Sequence, residues 1–163
     1  MSVGTACRGA GEYDRAIREL RRALEVIPAN RRVRFQIGVT LVAMGRPTDA
    51  IPELEIAARQ ASAQGHNSRV EAYLGYAYAA AGRPEDARQV LKELEAHRQD
   101  QYVSWFGIGL IHDALGEKAP ALAAVQRAFE DHAVELAQVN QYPPFKTIAS
   151  EPAFQTIIRR VGR

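Results

Sequence analysis

A single cysteine, Cys7, has no second thiol in the chain to pair with, so an internal disulfide framework is excluded and a reducing compartment fits. Excess charge of one sign is also missing. The formal net charge of +2 is too small to point to nucleic acid or to an anionic membrane surface. No apolar run approaches the roughly 20 residues that span a bilayer, and Met1 to Gly11 lack the apolar stretch of a secretory signal. These absences lead us to expect a cytoplasmic protein with neither a nucleic-acid nor a membrane partner. Hydrophobic residues at 47% and charged ones at 25% are ordinary for a folded domain, and 163 residues suffice for a continuous core.

What the chain does have is a repeat. Pairs of glycines return as Gly4 and Gly11, Gly38 and Gly45, Gly75 and Gly82, and Gly109 and Gly116, with steps of 34, 37 and 34 residues. Ala16, Ala50, Ala87 and Ala121 move with the same steps, as do Ala23, Ala57, Leu94 and Ala128. Three columns in one register predict a helix–turn–helix unit repeated four times. Each unit should hold a helix A, a Gly turn and a helix B. The second glycine of each pair suits the left-handed position after helix A. Pro47 and Pro84 suit the first turn of helix B, where a missing N–H costs no intrahelical bond. Gly38, Gly75 and Gly109 fall inside A helices, where glycine is unfavourable by about 1 kcal/mol relative to Ala. That cost is explained if A and B backbones approach closely, with the Ala16 column as the small contacts opposite. Leu20, Leu54, Leu91 and Val125 then supply the larger core residues one turn later.

The predicted units are 1–30, 31–67, 68–101 and 102–132, the first with a shortened helix A and the second followed by three extra residues within 61–67. Residues 133–163 form a linker and a capping helix. Asn140 to Phe145 reads as an extended link. Ser150 is the expected N-cap of a helix over 151–161 that turns Phe154, Ile157, Ile158 and Val161 to one side.

These columns resemble the tetratricopeptide repeat family across residues 1 to 132. The resemblance implies an all-α, right-handed superhelical solenoid with a C-terminal capping helix. Gly75-Tyr76-Ala77-Tyr78, Tyr102-Val103-Ser104, Ile108-Gly109-Leu110-Ile111, Leu115-Gly116-Glu117-Lys118 and the tail from Glu151 to Gly162 are similar to the C-terminal repeat region of multidomain bacterial signalling and transcriptional regulators. Ala153 departs from that pattern, which usually has a basic residue there. The resemblance implies a sensory or interaction module, either part of a longer regulator or an adaptor to one.

Chemistry-bearing residues are few. His66 lies in the inserted loop, and His97 closes a B helix, where its partial charge suits the dipole. His112 stands where a large core residue is expected, as Tyr78 does one unit earlier. His112 and His132 are 20 residues apart with no ligand spacing to complete a metal set. Cys7 sits in no nucleophile motif, and no Gly-rich phosphate loop is present. The expectation is a non-catalytic protein that uses no cofactor or metal.

In such a solenoid the A helices line the concave surface. The residues off the core stripe are Arg32, Phe35, Val39, Val42 and Ala43 in the second unit. The third unit offers Arg69, Ala72, Tyr76, Ala79 and Ala80, and the fourth Val103, Phe106, Leu110, Asp113 and Ala114. Thr5 and Arg8 extend the rim. From these, Arg32, Phe35, Val39, Arg69, Tyr76, Phe106 and Leu110 are the candidate groove for a peptide or helix of a protein partner. Thr5, Val39, Tyr76 and Leu110 stand at one of the positions where chaperone-binding members of the family carry a carboxylate-clamping Asn or Lys, so such a clamp is not expected. Alternatively, Tyr142, Pro143, Pro144 and Phe145 fill the groove from within. A homo-oligomer through the open N-terminal end is a further expectation.

Overall fold

The computed structural model describes residues 13–62, 67–98, 102–137, 139 and 145–161. In chain order it has helices α1 (Tyr13–Val26), α2 (Arg31–Ala43), α3 (Pro47–Ser62), α4 (Ser68–Ala80), α5 (Pro84–His97), α6 (Trp105–Ala114), α7 (Lys118–Glu130), α8 (Val134–Ala137) and α9 (Pro152–Val161). No strand occurs among the described residues. The pairs α2–α3, α4–α5 and α6–α7 are helical hairpins, and they stack mainly through α3 on α4 and α4 on α6. The fold is an all-helical repeat solenoid. Gly4, Thr5, Cys7, Arg8, Gly11, His66 and residues 140–144 lie outside the described residues.

The A helices start alike. The Asn30 and Asn67 side chains accept the Val33 and Val70 N–H at 3.2 and 3.3 Å, and Ser104 Oγ accepts the Phe106 N–H at 3.2 Å. Each cap satisfies a donor that a helix start leaves orphaned. They also end alike. Gly45, at φ 71°, donates its N–H to the Val42 carbonyl, and the Arg46 N–H returns to Leu41. This motif needs a left-handed residue, which glycine adopts without a Cβ penalty. The same pair of bonds closes α7, but His132 holds the left-handed position there at φ 53°. That conformation is unfavourable by about 1–2 kcal/mol for a residue with a Cβ.

Ala16, Ala50, Ala87 and Ala121 are fully buried, and Leu20, Leu54, Leu91 and Val125 are buried beside them. The third column is buried at Ala57, Leu94 and Ala128 but exposed at Ala23. The reason is position: α1 packs chiefly on α2 among the described elements. The contact at the A–B crossing differs from the expected one. A Cβ on Gly38 would stand 2.6 Å from Cγ and Cδ2 of Leu54, whereas one on Gly75 would meet Ile111 and Val90, and one on Gly109 would meet Val125 at 3.2 Å and the Ala121 carbonyl at 3.4 Å.

The inserted residues are partly absorbed by α3, which runs on through Ala61 and Ser62, while Asn67 already caps α4. At the other end, α9 lies on α7 and α8 with Phe154 and Ile157 buried and Ile158 and Val161 half-buried. Glu151, not Ser150, is the residue before the first helical position, and its carboxylate meets Lys118 Nζ at 2.5 Å.

Two outcomes follow from this packing. Gly38→Val should destabilise the protein by about 1–3 kcal/mol, the usual range for overpacking, and a urea midpoint equal to the parent's would show that Leu54 yields freely. Phe154→Ala should cost about 3–5 kcal/mol. Melting within a degree or two of the parent would mean that α9 is a loose appendage.

Candidate functional site

The seven groove candidates divide by exposure. Arg32 and Arg69 are exposed, whereas Phe35, Val39, Tyr76, Phe106 and Leu110 are buried. Phe35 on α2 meets Tyr73 on α4 edge-to-face at 5.4 Å, and the Arg69 guanidinium lies 5.7 Å from its ring centroid. Cation and quadrupole attract in that geometry. Tyr76 has its hydroxyl pKa raised, first by burial and then by the negative charge of Asp113.

Arg69, Phe106 and Leu110 converge on one narrow cleft with a free volume of about 30 Å³. Tyr73 and Leu94 contribute further apolar wall, and Glu135 of α8 stands at the same cleft. Arg32, Phe35, Val39 and Tyr76 do not line it. The helices come close here: a Cβ on Gly107 would stand 2.8 Å from Ala72 Cβ. The Oε2 atom of Glu135 is buried and has no hydrogen-bond partner. A buried acceptor left unpaired is costly, so this oxygen is suited to take an N–H or ammonium group from a ligand. Sequence reading missed Glu135 because the repeat pattern stops near His132. The buried Ala133 and Leu136, three apart, are the faint signal that the chain packs on.

Beside the cleft, the chain's own tail docks on α6. Asp113 is 2% exposed. Its carboxylate accepts the backbone N–H groups of Lys146, Thr147 and Ile148 at 2.6, 2.8 and 2.9 Å. Thr147 Oγ1 donates to the Asp113 carbonyl at 2.9 Å. Phe145 packs edge-to-face on Phe106 at 5.4 Å and meets Phe154 at 5.1 Å. Since Phe106 and Asp113 are seven residues apart, they share one face of α6, and the strap 145–148 lies along it. Of the anticipated plug, Tyr142, Pro143 and Pro144 lie outside the described residues.

His112 is half-buried rather than a core residue. Its Nδ1 is 2.7 Å from Glu117 Oε2, and Arg88 reaches the other Glu117 oxygen at 3.2 Å. Partial burial opposes ionisation of Glu117, but the hydrogen bonds from His112 and Arg88 outweigh it and hold the carboxyl below its ordinary range. Val103, anticipated on helix A, precedes α6 and is buried in the cleft wall. Among the described residues no group of three His, Cys, Asp or Glu side chains could hold a metal ion, and no helix is long and apolar enough to cross a membrane.

The family model of the tetratricopeptide repeat matches residues 4–66, 35–102 and 73–133 in overlapping stretches. The chain belongs to the tetratricopeptide repeat family. Comparison with curated proteins and with solved structures finds no match. Tetratricopeptide repeats are in general non-catalytic scaffolds for protein–protein interaction, which places the search for a site on surfaces rather than on reacting groups.

The clamp on the strap has a measurable consequence. Asp113→Ala leaves three backbone N–H groups, that of Ile148 buried, without their acceptor and should destabilise the protein by about 1–3 kcal/mol. Amide exchange at Lys146, Thr147 and Ile148 should accelerate together. Unchanged protection at those amides would show that the strap is held by its apolar contacts alone.

Proposed function

We propose that this tetratricopeptide repeat protein binds an extended segment or helix of a protein partner at the cleft between α4, α6 and α8. The observation that carries the reading is the juxtaposition in that cleft of an exposed cation, Arg69, an apolar wall with Phe106 and Leu110, and the unpaired Glu135 oxygen. An apolar side chain of the partner enters the cleft, an acidic group meets Arg69, and a donor meets Glu135 Oε2. Bidentate arginine contacts and buried apolar anchors are where interface energy concentrates. The buried groove candidates Phe35, Val39 and Tyr76 act from behind, by fixing the wall that carries Arg69. Similarity of the last ninety or so residues to the repeat regions of bacterial regulators supports a place in a cytoplasmic regulatory assembly.

A second reading is favoured by the strap: the tail closes the inner face of α6, and the protein serves as a self-associating structural module. The exposed Val26 and Ile27, at 80% and 54%, give such a module an apolar contact near its first hairpin.

Selection of peptides from a displayed library against the full chain separates the two. Under the first reading, selected peptides should lose about tenfold in affinity on Arg69→Ala and again on Glu135→Gln, roughly 1.4 kcal/mol each. Phe106→Ala is an unsuitable probe, since that ring also seats Phe145. Peptides indifferent to both substitutions would place recognition elsewhere. No binder at all, with concentration-dependent light scattering that Ile27→Ser abolishes, would favour the second reading.

A further inference from the structure

We infer that the stack of Arg98, Trp105 and Arg127, at the junction of the third and fourth hairpins, is a second docking surface, for an acidic segment of a partner protein. Arg98 follows the last residue of α5, Arg127 lies in the last turn of α7, and Trp105 opens α6. The Arg98 guanidinium carbon is 3.4 Å from the centroid of the Trp105 ring and that of Arg127 is 4.6 Å from it. Two positive charges therefore sit within about 8 Å of one another, by the geometry of a shared ring.

Several arginines elsewhere on the solenoid are neutralised locally. Arg34 pairs with Glu53, Arg46 with Asp49, Arg83 with Asp86, and Arg88 with Glu85 and Glu117. Arg98 and Arg127 pair with no carboxylate among the described residues, and Nη1 of Arg98 is buried without a hydrogen-bond acceptor. The ring faces and the helix C-termini hold the two cations in place. Neither consumes the N–H edges of the guanidinium groups, which are built to grip a carboxylate in the guanidinium plane. Tyr102, three residues before Trp105 in the chain, is 69% exposed. Two cations on one ring, neither with a carboxylate partner among the described residues, are complementary to a run of Asp or Glu. Trp105 points about 100° round α6 from Phe106, so this surface is separate from the strap-covered face and does not depend on the cleft reading.

The lone tryptophan reports on the surface directly. Titration of the full chain with a hexaglutamate peptide at low ionic strength should shift Trp105 emission saturably, and hexalysine should not. The double variant Arg98→Gln, Arg127→Gln should bind hexaglutamate at least about tenfold more weakly with an unchanged helical spectrum, and Arg159→Gln should leave binding as it is. If the double variant fails to fold, the exposed Arg127→Gln alone should still weaken binding severalfold. Absence of any emission change, equal response to hexalysine, retention of binding in the folded variants, or loss of self-association in place of peptide binding would each overturn the inference.

Discussion

The crossing of helix A over helix B depends on a side chain that is not there. At Gly38 the backbone of α2 passes so near Leu54 that a single added carbon would stand 2.6 Å from it. Glycine in a helix interior is unfavourable by about 1 kcal/mol, yet here it lets Leu54 fill the space with a buried apolar side chain, worth roughly 1.5–3 kcal/mol. The second effect wins. Everything downstream inherits that spacing: the fully buried alanines, the stacking of α3 on α4 and of α4 on α6, and the faces the A helices present.

A stack of hairpins has ends, and the C-terminal one is closed by a different kind of interaction. Most of the solenoid is held by non-directional apolar burial. The strap is held by a carboxylate that takes three consecutive backbone N–H groups. Burying Asp113 would be costly if it were unpaired, so its low exposure and its bonds are one fact. Directionality is what the end requires. Apolar contact alone leaves the register of an irregular segment open, whereas three N–H groups on two oxygens fix it and deliver Phe145 to Phe106 and Phe154.

This division explains what could be read in the sequence. The hairpins were legible because glycine and alanine recur at one period and each has a local steric cause. The α9 helix was legible from its Pro start and its apolar face. Arg69, Phe106 and Leu110 were legible as neighbours, since A-helix positions repeat. Exposure was not. Whether Phe35 faces solvent depends on its contacts with Tyr73 and Arg69 of the neighbouring helix, which its position within a repeat does not specify. Asp113 as a clamp, Glu135 as a wall of the cleft and His132 as a left-handed terminator were illegible for the same reason. Each is defined by a partner or a backbone angle that the repeat does not encode.

The fourth hairpin carries the cleft because its helix A begins late. Gly109 follows Gly75 by 34 residues, but the cap Ser104 follows the cap Asn67 by 37. The helix thus loses its first three residues, nearly one turn, or about 5 Å along its axis. Where α4 has a helical turn against its neighbour, the fourth unit has Val103 and Ser104 outside the helix, and these two residues line the cleft. The same shortening makes Trp105 the first residue of α6, beside Arg98 at the end of α5. A local break of period in a regular scaffold is therefore what produces both recesses and charged surface.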